Sequence, residues 1–300
     1  MKRLAILGNL NWDLVFHGVF EWPGWGQEVF VDNATRIPGG IAHAAMAAST
    51  LGTDVELIGC VGQDQAGREL LKTLKNHGIG LSSTQEADAP TGLSVAIVKQ
   101  DGERTYFTHP GALGSASPFA LWRRFLVDNR GIPDVLLISG PPLIAPSPYE
   151  DWVKLITEAH AHGIPIALDL GWDPHQNWPF WHRIIPLVDM VITNQLEASM
   201  YLGASTLPGI AVIKSGATGA TIVRQSKHIE IPGFPVHAVD TGGAGDVWNG
   251  AFFSSFMEQS DAAGAALFAN AAASLYVSKL SGTERYPSGA EVRRVIQNRQ

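Results

Sequence analysis

Short apolar runs alternate with helical patterns from residue 135 onward, and this alternation limits the possible folds more than any other feature of the chain. The runs Val135–Ser139, Ile164–Leu170, Val188–Thr193 and Ala211–Ser215 are typical of buried strands, and Tyr149–His162 is typical of a connecting helix. Strands that are apolar throughout need cover on both faces, and helical crossovers make successive strands parallel. The sequence therefore predicts an α/β fold with three α/β/α layers and a mostly parallel central sheet.

Two regions, near residues 10–38 and 91–110, do not follow this alternation. The first contains the strand-like pattern Glu28–Arg36, and the second contains two strand-like runs around an Asp-Gly turn signal. We expect these regions to form a small β-sheet attached to the main sheet. The other N-terminal elements fit the main domain: strands at Leu4–Gly8 and Val55–Val61, and helices at Ile41–Leu51 and Gly67–His77. No internal repeat or long flexible linker is visible, so we predict one domain over residues 1–300.

The overall composition argues against several classes of protein. The 300 residues carry a net charge of −7, whereas nucleic-acid-binding surfaces are usually basic, so we expect no nucleic-acid partner. No apolar stretch approaches the roughly 20 residues that span a bilayer, and Asn9 and Asn11 interrupt any secretory signal. The single cysteine, Cys60, cannot form an intramolecular disulfide. We therefore expect a cytoplasmic location and no membrane partner.

The stretch VDTGGAGDVWNGAFF, residues 239–253, joins a glycine-rich turn to a helical pattern. Small residues leave the N–H groups of the turn accessible, and the helix directs its dipole and its unbonded N–H groups to the same place. Together these features predict an anion site. Asp246 stands at this site, where its carboxylate either caps the helix or accepts a proton from a hydroxyl that attacks phosphorus. The seven residues DTGGAGD leave both alternatives open.

This stretch closely resembles the C-terminal signature of the ribokinase-like carbohydrate kinases of the PfkB family. The resemblance implies that Asp246 is the catalytic base, and that the amides of Gly243, Ala244 and Gly245 form the hole that binds the transferred phosphate. It also implies an ATP-dependent kinase that uses Mg²⁺, with Thr241 beside the nucleotide. The fold implied is the ribokinase-like one, in which the small β-sheet is a lid.

Two N-terminal motifs resemble the sugar-binding parts of the same family. GNLNWDLVF resembles the first strand and the substrate-binding turn, which implies that Asn11 and Asp13 bind sugar hydroxyls. PGGIAHAAMAASTLG resembles the N-terminal signature, in which Gly39 and Gly40 let the backbone approach the sugar. The family commonly has asparagine where His43 stands, and the spacing after the two glycines is one residue short. We expect His43 to bind the substrate, and its presence leaves the type of sugar open.

The segment GLSVAIVKQDGERTYFTHPGAL resembles the lid strands that cover the sugar in this family. The resemblance places Phe107 and His109 near the sugar pocket. Sheet edges and apolar lid faces tend to be covered by another chain. We therefore expect a homodimer that forms through the lid.

Three C-terminal segments resemble the parts of the family that meet nucleotide and metal. TNQLEASMYLG resembles its Asn-x-x-Glu element, AVIKSGATGATIV its nucleotide-binding strand and turn, and residues 268–274 a helix that flanks adenine. Mg²⁺ keeps several of its waters, so a single nearby carboxylate suffices. Family members also often bind a monovalent cation such as K⁺ beside the anion hole. The implied ligands are Asn194, Ser215, Gly216, Gly219 and Asn270 for ATP, Asn194 and Glu197 for Mg²⁺ through water, and Asp240 and Ser281 for K⁺.

A second departure from the family concerns the acceptor. Many relatives carry an asparagine and an arginine after the strand that ends here at Asp169, whereas this chain reads DLGWDPHQNW. The missing arginine favours a free sugar or a nucleoside over a sugar phosphate. The sequence thus supports a kinase for a hydroxymethyl-type alcohol of a sugar, with a nucleoside kinase or a sugar-binding regulatory protein without turnover as alternatives. A Rossmann dehydrogenase is disfavoured because GNLNWD lacks the G-x-G-x-x-G spacing.

Overall fold

The computed structural model describes residues 1–19, 21–99, 104–127, 131–144, 147–203, 206–225, 227–279 and 285–299. Ser281, assigned above to a cation site, and the turn at residues 100–103 lie outside these ranges. The strands are β1 (Arg3–Gly8), β2 (Leu10–Val19), β3 (Asn33–Gly40), β4 (Asp54–Ile58), β5 (Cys60–Gly62), β6 (Gln85–Ala87), β7 (Gly92–Lys99), β8 (Arg104–His109), β9 (Val135–Ser139), β10 (Ile166–Asp169), β11 (Met190–Asn194), β12 (Ile210–Lys214), β13 (Gly219–Arg224) and β14 (Lys227–Pro232). The helices are α1 (Ile41–Thr50), α2 (Gln65–Asn76), α3 (Pro118–Val127), α4 (Tyr149–Ala161), α5 (Trp178–Ile184), α6 (Gln195–Tyr201), α7 (Ala244–Gln259), α8 (Ala262–Val277) and α9 (Gly289–Gln297).

Eight strands form the central sheet in the order β14-β13-β12-β11-β10-β9-β1-β4, and neighbouring strands are parallel except that β13 is antiparallel to both β12 and β14. Alternate residues of β1 enter two separate hydrophobic clusters. Leu4 and Ile6 pack with residues of α1, α7 and α8, whereas Ala5 and Leu7 pack with residues of α3, α4 and α5. Helices therefore cover both faces of the sheet, and the predicted three-layer α/β/α class is confirmed.

A separate sheet has the order β3-β2-β7-β8 and corresponds to the two regions that broke the alternation in the sequence. β2 pairs antiparallel with β3 and parallel with β7, and β7 pairs antiparallel with β8. Opposed residues such as Asp13, Ser94 and Thr108 share one face of this sheet, and their neighbours along each strand share the other. We refer to this four-stranded sheet as the small sheet.

Helix α1 is buried along most of its length and is rich in alanine. It crosses α7 in close contact at Gly250, where any side chain would collide with the backbone carbonyl of Ala44. Glycine is therefore required at this crossing. The contact holds the start of α1, which carries His43, beside the loop that leads into α7.

Two boundaries predicted from the sequence were wrong. The strand expected at Val55–Val61 is split into β4 and β5, which belong to different sheets, and the chain breaks at Gly59. The strand expected at Glu28–Arg36 begins only at Asn33, because the ladder with β2 ends at the pair formed by Asn33 and His17. Apolar content and alternation identify a strand, but a strand ends where its neighbour stops offering backbone partners.

The described residues contain no helix suited to cross a membrane, because none combines the length and the apolar character needed to cross a bilayer. Cys60 is buried, as expected for a small apolar side chain in a strand.

Candidate active site

A cavity of about 540 Å³ lies at the carboxyl ends of the parallel strands. The last residues of three neighbouring strands line it: Asp169 of β10, Asn194 of β11 and Lys214 of β12. Ligands of parallel α/β sheets usually bind at this edge. The remaining walls come from β8, the β12–β13 turn, the loop before α7, and α8, with Arg104, Tyr106, Glu197, Gly216, Gly219, Phe234, Thr241, Gly243, Ala244, Gly245, Asp246, Trp248 and Asn270 among the lining residues.

The loop before α7 has the geometry of an anion site. Gly243 has a left-handed backbone conformation, with φ +72°, and directly precedes the first helical residue. The N–H of Ala244 donates to the carbonyl of Thr241 at 3.1 Å, so this amide closes the turn. The N–H groups of Gly245 and Asp246 lie in the first turn of α7, where the helix has no carbonyl for them. These groups and the positive end of the helix dipole face the cavity that the loop lines.

Asp246 is the third residue of α7, and Gly243 takes the capping position. Of the two alternatives that the sequence left open, the structure therefore does not give Asp246 the role of the capping residue. Burial, with the Asp169 and Asp13 carboxylates nearby, raises the pKa of Asp246 to about 6, while His43 and Lys214 oppose the rise. At neutral pH this carboxylate is ionised, and it is a stronger base than an ordinary aspartate.

Lys214 is a site residue that the sequence analysis missed. Its Nζ donates to Asp169 Oδ1 at 3.1 Å and to Asn249 Oδ1 at 3.2 Å. Asn249 in turn donates through Nδ2 to the other oxygen of Asp169 at 2.7 Å, which closes a three-residue network. An ammonium group has three donors, so one remains for a ligand in the cavity. A side chain on Gly245 would begin 3.5 Å from Nζ, which shows how close this amine lies to the anion loop.

The charge of this buried amine is set by its neighbours. Burial alone would lower the pKa of Lys214, but the carboxylates of Asp169, Glu197 and Asp246 outweigh burial and raise it. The amine is therefore cationic at neutral pH. In the sequence the only trace of this role was a lysine at the end of an apolar run, a position that is usually solvated.

Asn194 and Glu197 form a reciprocal cap at the start of α6. Glu197 Oε2 accepts from the Asn194 N–H, Asn194 Oδ1 accepts from the Glu197 N–H, and Asn194 Nδ2 donates to Glu197 Oε1, all at 2.8 Å. Burial and the Asp169 carboxylate raise the pKa of Glu197. Each of its oxygens keeps a lone pair for a further donor such as a metal-bound water. Among the described residues no group of three or more His, Cys, Asp or Glu side chains could hold a metal ion directly.

On the side of the small sheet, Asp13 and Asn11 lie against the end of β3. Asn11 Nδ2 donates to Asp13 Oδ1 at 2.6 Å, and Asn11 Oδ1 accepts from Asn9 Nδ2 at 2.8 Å. The Asp13 carboxylate lies directly over Gly39, where any side chain would collide with it. Gly40, with φ +59°, turns the chain into α1. Gly39 thus makes room for the carboxylate, and Gly40 lies against the Asn9 carbonyl, where a side chain would also collide.

His43 lies between this group and the anion loop. Its Nδ1 is 2.8 Å from the Tyr286 hydroxyl and 3.2 Å from the Tyr276 hydroxyl, and its Nε2 is 3.6 Å from Asp13 Oδ2. A side chain on Gly243 would begin 2.7 Å from the imidazole ring. His43 is only 2% exposed, so the predicted substrate-binding residue sits at the junction of the two parts of the site.

The small sheet contributes different side chains from those predicted. Tyr106 and Arg104 of β8 line the cavity, and Arg104 Nη1 donates to Thr241 Oγ1 at 2.8 Å. Phe107 lies on the opposite face, where it stacks on Trp22 with 5.8 Å between ring centroids and is 55% exposed. His109 shares that outer face, and its Nδ1 accepts from the backbone of residue 111 at 3.0 Å. The predicted positions of Phe107 and His109 near the pocket are therefore corrected, because side chains alternate along a strand.

The far end of the cavity is apolar, with Phe234, Val236, Ala238, Ala273 and Val277 in its wall. Asn270 lines it too, but its amide is engaged: Oδ1 accepts from Trp248 Nε1 at 2.7 Å, and Nδ2 donates to the Pro232 carbonyl at 3.1 Å. An apolar wall of this kind suits an aromatic base.

The β12–β13 turn also borders this end of the cavity. Gly216 and Gly219 line it, and the Ser215 N–H donates to the Gly219 carbonyl at 2.8 Å, which closes the turn. Gly219 has φ +113°, and any side chain there would collide with the carbonyl of Ile231. The requirement for glycine at position 219 therefore follows from packing against β14 and needs no ligand to explain it.

Asp240, predicted to hold a monovalent cation, is paired with a cation of the protein itself. Arg285 Nη1 donates to Asp240 Oδ2 at 2.8 Å. The side chains of both residues are 2% exposed. The DTGGAGD motif could not predict this pairing, because Arg285 lies outside the motif.

Comparison with known proteins gives a consistent result over the whole chain. The family model described as pfkB family carbohydrate kinase matches residues 1–288. The ribokinase of Bacillus subtilis (strain 168) is 29% identical over 305 aligned residues, which cover 99% of this chain and 100% of the relative.

Solved structures share the fold at lower identity. A candidate ribokinase II from E. coli, in complex with ATP and Mg²⁺, has a TM-score of 0.81 at 21% identity and covers 99% of this chain and 100% of its own. The nucleoside kinase of Burkholderia thailandensis, in complex with inosine, has a TM-score of 0.81 at 19% identity, with 98% of each chain covered. Both structures therefore share the fold of this chain.

Proposed function

The chain belongs to the pfkB family of carbohydrate kinases and is an ATP-dependent sugar kinase; we propose that it phosphorylates a hydroxymethyl-type alcohol of an uncharged sugar. One observation carries this proposal. Asp246, a carboxylate with a raised pKa, stands in the first turn of α7 and shares one cavity with the anion loop and the cationic Lys214. A base, an anion site and a fixed positive charge are the groups that phosphoryl transfer requires.

In the proposed reaction Asp246 accepts the proton of the acceptor hydroxyl while the hydroxyl oxygen forms its bond to the γ-phosphorus. The bond between that phosphorus and the β–γ bridging oxygen breaks, and ADP leaves with the electron pair. The proton ends on the Asp246 carboxylate and passes to solvent after the products leave. A carboxylate with a pKa of about 6 suits both halves of this cycle at neutral pH.

The charge that develops on the transferred group meets donors that are already in place. We assign this role to the N–H groups of Gly245 and Asp246, the α7 dipole, and the third donor of Lys214. Thr241 and Gly243 shape the loop around the phosphates, and Arg104 of the small sheet reaches the same loop through Thr241.

We assign Mg²⁺ to the pair Asn194 and Glu197, which would bind it through water. When bound, the ion neutralises charge on the phosphates of ATP. The protein residues have two roles there: Glu197 would accept hydrogen bonds from metal-bound waters, and the cap that it forms with Asn194 fixes its orientation.

The acceptor end supports an uncharged substrate. Asp13 can accept hydrogen bonds from two hydroxyls, and Asn11 and His43 border it. Arg104 and Lys214, the cations of the described cavity lining, both lie at the phosphate end. A negatively charged acceptor would be repelled by Asp13 and Asp246. A nucleoside is the alternative acceptor, favoured by the likeness to a nucleoside kinase that binds inosine.

The outer face of the small sheet supports the homodimer expected from the sequence. Trp22 and Phe107 stack there, and Leu93, Trp25 and Phe30 are also exposed. An apolar patch of this kind on a sheet commonly marks an interface. We therefore propose that residues 1–300 form one kinase domain, that the small sheet is its lid, and that two lids pack together.

We also propose that the enzyme works in the cytoplasm. The reaction consumes ATP, and one cysteine leaves no intramolecular disulfide that would need an oxidising compartment.

A substrate panel tests the proposed function. Release of ADP would be followed in a coupled assay with ATP, Mg²⁺ and each of a set of neutral sugars, nucleosides and sugar phosphates, with a reaction lacking acceptor as the control. The proposal expects the highest kcat/KM with a neutral sugar. The highest value with a nucleoside would establish the alternative. Absence of turnover with every acceptor would overturn the proposal and favour a binding protein.

A further inference from the structure

Arg285 binds Asp240, the residue from which the anion loop begins, at both its carboxylate and its backbone carbonyl. Its Nη1 donates to Asp240 Oδ2 at 2.8 Å, and its Nη2 donates to the Asp240 backbone carbonyl at 2.7 Å. The same carboxylate accepts from the Gly242 N–H through Oδ1 at 2.7 Å. A continuous set of hydrogen bonds thus runs from the guanidinium through Asp240 to the residue before Gly243.

The guanidinium is itself held in place by α8. Its plane lies over the ring of Tyr276, with 3.6 Å between the central carbon and the ring centroid, and its Nε donates to the Tyr276 carbonyl at 3.4 Å. Arg285 is 2% exposed. An arginine stays charged even when buried, and its planar fork suits such fixed contacts better than a flexible ammonium would.

A monovalent cation does not fit beside this arrangement. The family resemblance assigns such an ion to Asp240 and Ser281, of which only Asp240 lies in the described residues, and a hard cation would need oxygen atoms as ligands. Here the guanidinium binds both a carboxylate oxygen and the carbonyl oxygen of Asp240. A second positive charge in the same buried place would be repelled by the first, since little solvent separates them.

We propose that Arg285 takes the place of a monovalent cation and that this kinase needs none. Arg285 is a positioning residue: it touches neither substrate, and acts by holding Asp240 and therefore the anion loop. The inference rests on the proposed role of that loop. A covalently attached cation keeps the loop ordered at any salt composition, whereas a bound ion would do so only above its dissociation constant.

The first experiment compares salts. The purified full-length chain would be assayed in KCl, NaCl and choline chloride at equal ionic strength, and its thermal unfolding midpoint would be measured in the same three buffers. We expect equal rates and equal midpoints. A rate or a midpoint that rises specifically with K⁺ would overturn the proposal. The midpoint does not depend on turnover, so it tests Arg285 even if the substrate panel shows that the proposed function is wrong.

The second experiment removes the guanidinium. In Arg285→Met we expect kcat to fall about 100-fold, as for a displaced catalytic group, while the KM values change little. This variant should also gain a response that the wild type lacks, because K⁺ or millimolar guanidinium would restore part of its rate and raise its unfolding midpoint. The kcat of Arg285→Lys should lie between that of the wild type and that of Arg285→Met. Arg294→Met, at an exposed position of α9, is the matched control.

Two results would contradict this assignment. Wild-type kcat in Arg285→Met would show that the loop does not depend on the guanidinium. A folded Arg285→Met variant that stays slow in every salt would show that the arginine is not a substitute for a cation. If Arg285→Met does not fold, the comparison of salts on the wild-type chain decides the question without it.

Discussion

The phosphate end and the acceptor end of the site are built on different principles. At the phosphate end, Lys214, Asp169 and Asn249 satisfy one another and stand on the central sheet and α7. At the acceptor end, two buried polar atoms, His43 Nε2 and Asn9 Oδ1, have no hydrogen-bond partner among the described residues. Buried polar atoms without partners are costly, and a bound polyol would satisfy them. The contrast suggests that the phosphate end holds its side chains in place before binding, whereas polar side chains of the acceptor end gain partners only with the substrate.

This difference separates chemistry from recognition. The donors and the base at the phosphate end are fixed by strand ends and a helix N-terminus, whereas the acceptor end depends on side chains from the small sheet and α1. Changes at the phosphate end should therefore affect kcat and the use of ATP, and changes at the acceptor end should affect the acceptor KM.

Replacing the base should have the largest effect. In Asp246→Asn we expect kcat to fall about 10²- to 10⁴-fold, the usual contribution of a general base, with nucleotide affinity retained. Coupled ADP release and ATP titration measure the two quantities. The exposed Glu258→Gln, at the other end of α7, is the control. Near-normal turnover in Asp246→Asn would exclude Asp246 as the base.

The same variant should be more stable than the wild type. The pKa of Asp246 is higher in the folded protein than the ordinary value of 3.8, so ionisation of this carboxyl lowers stability as the pH rises above 3.8, and the loss is complete above about pH 6. At pH 7 we expect denaturant unfolding to give Asp246→Asn a free energy of unfolding about 1–2 kcal/mol higher, less than the full linkage value because the carboxylate borders an open cavity. A lower value would contradict this electrostatic account and would attribute lost activity to misfolding.

Removing the fixed charge should have the next largest effect. In Lys214→Met we expect kcat/KM for ATP to fall about 100-fold, the scale of one lost donor to a developing anion. The acceptor KM should stay close to that of the wild type. Lys154→Met, on the exposed side of α4, is the matched control. An equal rise in both KM values would break the distinction between the two ends.

A change at the acceptor end should give the reverse pattern. In Asp13→Asn we expect the acceptor KM to rise about tenfold or more, since a charged hydrogen bond contributes about 1.5–3 kcal/mol, while the KM for ATP stays unchanged. Initial rates with one substrate varied at a time measure both. Asp32→Asn, in the segment that leads into β3, serves as the control. A higher KM for ATP alone would show that Asp13 does not act at the acceptor end of the site.

The pH dependence should be the mildest effect. The base must be ionised, so kcat/KM for the wild type should halve near pH 6 and fall tenfold per unit below it. Four groups face Asp246: Asp169 and Asp13 raise its pKa, and His43 and Lys214 lower it. Lys214→Met should therefore move this limb of the profile to higher pH. A limb that stays in place, or moves to lower pH, would show that another group controls it.

The phosphate end could be predicted largely because its parts are neighbours in the chain. Seven consecutive residues place the glycine turn, the helix start and Asp246 together, and Asn194 and Glu197 are one helical turn apart. Lys214 and Arg285 were missed because each partner lies 45 residues away, and Arg104 because Thr241 lies 137 residues away. Motifs report local geometry, whereas such pairs exist only after the sheet has assembled.

The small sheet shows a different limit of sequence reasoning. Its strands were identified, yet Phe107 was assigned to the pocket and Tyr106 was not. A strand has two faces, and a shift of one residue exchanges them. Aromatic residues stand at neighbouring positions of β8 on opposite faces, so the presence of an aromatic side chain could not by itself show which one lines the cavity. The central sheet posed no such problem, because both of its faces are covered and either choice gives a buried residue.

The close crossing of α1 and α7 has a consequence for how the protein is made. Gly250 meets Ala44 across roughly 200 residues of sequence. A ribosome that adds 5–20 residues per second would leave α1 without this partner for about 10–40 seconds. Throughout that interval an apolar, alanine-rich helix stands exposed on the nascent chain. The emerging polypeptide is therefore expected to engage chaperones early and to release them only once α7 has left the exit tunnel.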